Sequence, residues 1–263
     1  LLPTRGRPET AFRSLQGLVE QANDPESIEF LVAIDEDDSE SADYFVEHAL
    51  EWFEDKDIDF TVFQTPRWGY VQLHQYLNFL GARARGEWFV FWNDDAVMQT
   101  QGWDTEIYNH TGKYLVLAFD THNSHPYSIF PIVPRDWIVL NEKLSPHQQT
   151  DAWISQVAYL ADCFERIPVT VLHDRADLTG NNHDAIYDSR VYIEGNQEHP
   201  LDINHKKYHD LKQHWAVRTV WLRKKLGQDT GWWERAVVGE VDPWQKMKEN
   251  DLNNQVTVTA VYT

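Results

Sequence analysis

The sequence predicts an α/β fold: a mainly parallel, twisted sheet flanked by helices in the Rossmann-like manner, with a helical and extended elaboration at the C-terminal end. Three observations predict it. Short β-branched apolar runs alternate with amphipathic stripes, the connections between them are short, and two of the apolar runs stop at acidic residues. Such alternation implies right-handed βαβ units, whose ligands sit beyond the carboxyl ends of the strands.

Leu1-Leu2 reads as the last piece of a buried strand, and Thr4-Arg5-Gly6-Arg7-Pro8 as a loop, because Gly and Pro interrupt regular structure. Phe12, Leu15, Leu18, Val19 and Ala22 then form a helical stripe ending near Asn23-Asp24-Pro25. Ile28 to Ile34 is an apolar run suited to a strand buried on both faces, and it ends at Asp35. A helix over Ser41 to Phe53, a strand over Phe60 to Phe63 and a helix from Tyr70 to Ala84 lead to the strand Trp88 to Trp92, which stops at Asn93-Asp94-Asp95. Further on, strands are expected at Leu115–Phe119, Ser128–Val133 and Val169–Leu172, with a helix over Asp151–Phe164. The polar stretch from Asp174 to Gln197 reads as loop, Leu211 to Leu226 as a basic helix, and Val256 to Tyr262 as an added edge strand.

Of 263 residues, 42 are Asp or Glu and 23 are Lys or Arg, a net charge of −19, and 42% are hydrophobic. That composition buries a real core and excludes disorder as the main state. It also argues against general nucleic-acid binding, which needs a basic surface. The charge is segregated: Asn204 to Leu226 carries about +6 by count and the rest of the chain about −25. No apolar run is long enough to span a membrane, the opening residues lack a signal-peptide pattern, and a cytoplasmic, reducing setting is expected. The lone Cys163 falls in a segment that reads as helix, where a small buried thiol is expected rather than a nucleophile.

Asp94-Asp95 is the sharpest chemical feature. Adjacent carboxylates at a strand end repel each other and call for a cation or hydrogen-bond donors, or else form a solvated acidic turn. Thr4 offers a hydroxyl, Arg5 and Arg7 offer charge-assisted bonds to phosphate, and Asp35 can accept from a base imide or a ribose hydroxyl.

In their order, these pieces resemble the nucleotide-sugar glycosyltransferases of the GT-A fold, especially the inverting family-two-like group. Leu2 to Pro8 is similar to the first nucleotide-binding loop, and Val32-Ala33-Ile34-Asp35-Glu36 to the second strand with its base-contacting acid. Gly69, Asn78 and Ala84-Arg85-Gly86-Glu87 resemble the family's Gly…Asn…Ala-x-Gly-Glu helix, and Asn93-Asp94-Asp95 stands in the place of its D-x-D motif, with Asn in the first position.

The resemblance implies a nucleoside-diphosphate sugar donor, gripped by Pro3, Thr4, Arg5, Arg7, Asp35, Asn78, Asp94 and Trp103, and a divalent Mn2+ or Mg2+ on Asp95 and His173. Trp103 lies in a Gly-Trp-Asp segment like the family's acceptor side. Asp151 is the expected general base, with Thr150 where the family usually has Glu; the bland alternative is a first-turn acid favoured by the helix dipole. Asp174 and Arg175 are candidates to support the metal or bind diphosphate, and Gly180 to Asp184 a loop to close over the donor. The implied division is a GT-A-like catalytic domain over 1–190, with a nucleotide-sugar half at 1–104 and an acceptor half at 105–190, followed by a 191–263 elaboration.

The acceptor is not disclosed by the sequence: a glycan, a small molecule, or an anionic acceptor such as DNA or lipid met through 204–226 are the candidates, and the bland reading of that basic helix is a solvated helix packed on the main domain. Trp68, Trp137 and Trp153 are further sugar-stacking candidates, each also a core candidate. His122, His125, His205 and His209 lack the ligand set of a zinc site. Two competing classes remain: a nucleotidyltransferase, for which a Gly-rich start with a Lys is missing, and a catalytically silent glycan- or protein-binding module on the same fold.

Overall fold

The structure, a computed structural model, describes residues 1–121, 128–195 and 203–228. His122, His125 and the strand expected at Val256–Tyr262 lie outside the described residues. Strands β1 (Leu2–Pro3), β2 (Glu29–Asp35) and β3 (Asp59–Thr65) form a parallel sheet in that order. Between them run α1 (Pro8–Gln21), then α2 (Ser39–Tyr44), a π-helical turn (Phe45–Ala49) and α3 (Leu50–Glu54). β2 is covered on both faces, and its alternation divides the core. Phe30, Val32 and Ile34 pack with Phe12, Leu15 and Phe53, while Leu31 and Ala33 meet Tyr76 and Leu80 of α4 (Leu73–Gly81) on the other side.

The second sheet contains β4 (Trp88–Val90), β5 (Ala96–Met98), β6 (Val116–Thr121), β7 (Pro131–Pro134) and β8 (Phe164–His173), in the order β4-β7-β6-β8-β5. It is mixed: only β6 and β8 run parallel. The connection from β6 to β7 is too short for the dozen-residue crossover that a parallel pair requires, so these strands run antiparallel. Two backbone bonds seam the sheets together, Leu1 N to Val90 O (2.8 Å) and Trp92 N to Leu1 O (3.0 Å).

Helices α5 (Trp103–Tyr108), α6 (Asp136–Asn141) and α7 (Thr150–Leu160) belong to the second half. The helix expected to reach Phe164 stops at Leu160, where Asp162 adopts a left-handed φ of 51° and the chain turns into a ten-residue β8. Cys163 therefore lies between that turn and β8, not in a helix; it is buried, and burial pushes its thiol up to about 12. Pro168 falls where the β6–β8 register shifts, a position that tolerates a residue with no N–H.

The stretch expected as loop after Asp174 instead holds α8 (Ala176–Thr179) and α9 (Ala185–Gly195). Gly180 ends the first at φ 82°, and the Asp184 carboxylate caps the second by accepting from Tyr187 N at 2.8 Å. The basic helix α10 (Lys206–Lys225) packs Trp215 against Trp137 and Trp153, so those two indoles are core. Among the described residues, no helix is long and apolar enough to cross a membrane.

Candidate active site

A cleft of about 600 Å³ opens at the carboxyl ends of β1, β2, β4 and β8 and the N-terminus of α7. It brings together Pro3, Thr4, Arg5, Arg7, Asp35, Asp94, Asp95, Asp151 and His173.

The first loop is tied down residue by residue. Thr4 N donates to Ala33 O at 3.0 Å, and Thr4 Oγ1 donates to Asp94 Oδ2 at 2.8 Å. Gly6 turns the chain at φ 62°, and its N–H donates to Asp38 Oδ2 at 2.8 Å. Arg5 reaches Asp35 Oδ2 at 2.8 Å and Asp37 beside it. Arg7 forms a bidentate pair with Asp184, both contacts 2.6 Å, and extends Nη1 to Asp94 Oδ1 at 3.4 Å.

Asp35 is 3% exposed and also accepts a short bond from the Tyr76 hydroxyl, which itself accepts from Trp68 N and Gly69 N at 2.9 Å. Burial and the Asp35 charge push the Tyr76 phenol up to about 12, so it stays a donor.

The two acids of the β4 loop part in character. Burial and the neighbouring Asp95 charge push Asp94 up to about 6, against the pull of Arg7 and Thr4. Burial would raise Asp95 as well, but its bond to His173 and the nearby Arg7 hold it below the usual range. The antiparallel register that pairs Ala96 with His173 sets Asp95 Oδ1 3.0 Å from His173 Nε2. The imidazole lies edge-on to Phe130, and its Nδ1 has no hydrogen-bond partner among the described residues, so Nε2 is the nitrogen turned to the carboxylate.

Asp151 lies in the first turn of α7, and Gln148, Gln149 and Thr150 beside it also line the cleft. The approach to that turn is pinned from α4. Asn78 is outside the cleft; its amide donates to Ser145 O at 2.8 Å and accepts from Leu144 N and Ser145 N at 2.8 and 3.1 Å. Trp103 is also outside. Its ring is buried, its Nε1 donates to Leu18 O at 2.9 Å, and it lines a separate apolar cavity at the other ends of the strands. Trp68 stacks edge-on against Tyr76 next to the cleft.

Residues that sequence reasoning missed include Tyr76, Tyr187 and Arg190. Asp184 ends the loop expected over Gly180–Asp184, and the structure joins it to Arg7 and to the start of α9.

No protein-family model and no curated protein matches the chain. Among solved structures it is similar to the mannosyltransferase PcManGT from Pyrobaculum calidifontis in complex with GDP-Man and Mn2+. The TM-score is 0.56 at 11% identity, over 95% of this chain and 82% of that one. S. aureus TarS 1-349, alone and in complex with UDP, aligns over 96% and 97% of this chain and 90% of its own. Identities are 11% and 12%, and TM-scores of 0.46 and 0.47 leave the first likeness to carry the fold. The chain has the GT-A-like fold of nucleotide-sugar glycosyltransferases.

The residues present can be tested against the divalent ion that this fold suggests. Among the described residues, no three His, Cys, Asp or Glu side chains converge as a complete ion cage. Asp95 and His173 do meet, beside a second carboxylate whose charge burial disfavours. Two protein ligands with the remainder from phosphate and water is how Mg2+ is commonly held, and an imidazole with a carboxylate suits Mn2+. The donor set fits such an ion.

Proposed function

We propose that the protein is a metal-dependent glycosyltransferase that moves a sugar from a nucleoside-diphosphate sugar to an acceptor hydroxyl with inversion. One observation carries this reading: phosphate-type donors on the first loop, the Asp95–His173 pair and a separate helix-borne carboxylate, Asp151, all line a single cleft. Pro3, Thr4, Arg5, Arg7, Asp35 and Asp94 hold the nucleotide side, and Asp95 and His173 hold Mn2+ or Mg2+. When bound, the ion supplies positive charge against the departing diphosphate.

Asp151 accepts the proton of the acceptor hydroxyl as its oxygen bonds to the anomeric carbon. The bond from that carbon to the diphosphate oxygen breaks on the opposite face, and its electron pair leaves with the diphosphate. We take residues 1–190 as the catalytic unit, 191–263 as an elaboration, and a reducing cytoplasm as the setting, which one buried thiol suits.

The test is a thermal-shift screen of UDP-, GDP-, CDP- and TDP-sugars with and without Mn2+. Stabilisation is expected to need sugar nucleotide and ion together and to lose that synergy in Asp95→Ala. Asp151→Asn is expected to bind donor while turnover drops by two orders of magnitude or more, the scale of general-base assistance. Turnover like wild type in that variant removes Asp151 as the base; donor binding with no turnover in the wild type leaves a silent binding module.

A further inference from the structure

The turn that leads into α7 is locked by its own side chains. Ser145 Oγ donates to His147 O at 2.8 Å and accepts from His147 N at 3.1 Å, and Thr150 Oγ1 donates to the same carbonyl at 3.2 Å. Gln149 N donates to His147 Nδ1 at 3.1 Å, and that imidazole lies edge-on to Tyr208 of α10. From this fixed turn the exposed Gln149 and the half-buried Asp151 line the cleft. The adjoining part of the wall comes from α4. Asn78 bonds Leu144 N and Ser145 N, while Leu73 and Leu77 on the same helix, and Tyr70 just before it, line the cleft.

Apart from Asp151, this α4–α7 wall carries no charge. The cleft is lined by five arginines, Arg5, Arg7, Arg67, Arg175 and Arg190, and none of them comes from α4 or from the turn before α7. All five are drawn to carboxylates elsewhere: Arg5 and Arg67 to Asp37, Arg7 to Asp184, and Arg175 and Arg190 to Asp177. Lys143, the lysine next before the turn, is exposed and does not line the cleft. The histidines behind the wall add no charge near neutral pH. His147 Nδ1 accepts a backbone N–H, the role of an unprotonated nitrogen, and burial lowers His74 to about 4.

An acceptor bearing a phosphate or carboxylate would bring a second negative charge beside Asp151, with no cation on this wall to offset the repulsion. Hydroxyl groups meet no such obstacle. A glutamine amide offers them a donor and an acceptor together, and apolar and aromatic side chains pack on the C–H faces of a sugar ring.

We propose that the acceptor is an uncharged polyhydroxyl compound, a neutral sugar or glycoside, held at the α4–α7 wall by the Gln149 amide and the Tyr70 ring, and that this wall discriminates against phosphorylated acceptors. The inference rests on the glycosyltransferase reading and adds to it the chemical class of the acceptor.

Initial rates of the full chain test it, with Mn2+ and whichever of the UDP-, GDP-, CDP- and TDP-sugars binds. The acceptor probes are the methyl glycosides of glucose, galactose and mannose, set against the 6-phosphates of the same sugars. Neutral acceptors are expected to have a kcat/KM at least about tenfold higher. Gln149→Ala should raise the acceptor KM about fivefold, the worth of one neutral hydrogen bond, with kcat and donor Kd within about twofold. Gln149→Lys supplies the missing cation and should shift the preference toward the 6-phosphates by about tenfold, which a merely structural role would not produce. Equal or faster transfer to the 6-phosphates, transfer to none of the probes, or an unshifted preference in Gln149→Lys overturns the proposal. If no sugar nucleotide binds, the glycosyltransferase reading fails and this inference with it; if one binds and is hydrolysed without transfer to the neutral probes, the acceptor assignment alone is wrong.

Discussion

Asp35 shows how much a single position at a strand end has to reconcile. Its carboxylate is buried between the Arg5 guanidinium and the Tyr76 hydroxyl, and that hydroxyl is the acceptor for two backbone N–H groups of the loop before α4. Tyr76→Phe would strand both amides and strip one donor from the carboxylate. We expect a loss of about 1–3 kcal/mol, seen as a lower urea midpoint; an unmoved midpoint would show that the loop amides find water at no cost.

His74, two residues earlier, titrates in the opposite sense to a salt-bridged histidine. Burial, with the nearby His147 and Lys143, lowers it from the usual 6.5 to about 4. The unfolded chain therefore binds the proton first, and the neutral ring's stabilisation, present above pH 6.5, is lost as pH falls toward 4. For a ring partly open to solvent this amounts to about 2 kcal/mol. Urea titrations at pH 4 and 6.5 should show a smaller difference in His74→Gln than in wild type, and an equal difference would refute the assignment.

At the scale of elements, α10 explains much of its own composition. Lys212 Nζ donates to Ile203 O at 2.7 Å, Arg218 to Leu140 O at 3.0 Å, and Arg223 to Ala161 O and Asp162 O at 2.9 and 2.6 Å. Two of these cations complete the C-terminal carbonyls of α6 and α7, where the helix dipole also favours positive charge. Arg223→Met should cost about 2 kcal/mol in chemical denaturation, whereas exposed Lys206→Gln should stay within about 0.5 kcal/mol; equal effects would mean that α10 contributes charge rather than caps.

Elements of this kind separate what the sequence discloses from what it hides. The stripe of α1 and the apolar run of β2 were legible because their periodicity is local, and so was the acid at each strand end. The antiparallel partners of β5 and β7 were not, because pairing joins residues far apart in the chain. Within the cleft, Thr4, Asp35 and Asp94 announced themselves by position after a strand. Tyr76 looked like one more apolar helix residue, and Arg190 lay in a stretch whose polar composition suggested loop.

For the whole molecule, the inward turn of Lys212, Arg218 and Arg223 alters what the −19 net charge means for partners. The surface of α10 keeps Lys206 and Lys207 at one end and Lys224 and Lys225 at the other, on a body that is otherwise acidic. Counterion release needs several cations set close together along the polyanion. Fluorescence anisotropy with duplex DNA at about 0.15 M salt should show no saturable binding below the order of 10 µM, and a tighter, salt-sensitive complex would restore the basic helix as a polyanion dock.

The seam between the sheets has a consequence for chain length. Leu1 is bonded to the β4 segment through both its nitrogen and its carbonyl oxygen, and three residues later Thr4 must meet Asp94 at 2.8 Å. One residue inserted between Leu1 and Thr4, or between Trp92 and Asp94, would slide these partners by about 3.3 Å and reverse which way the next side chain points. In these two short stretches, spacing is under as tight a constraint as residue identity, and a tolerated insertion or deletion is expected in an exposed turn such as 55–57 rather than there.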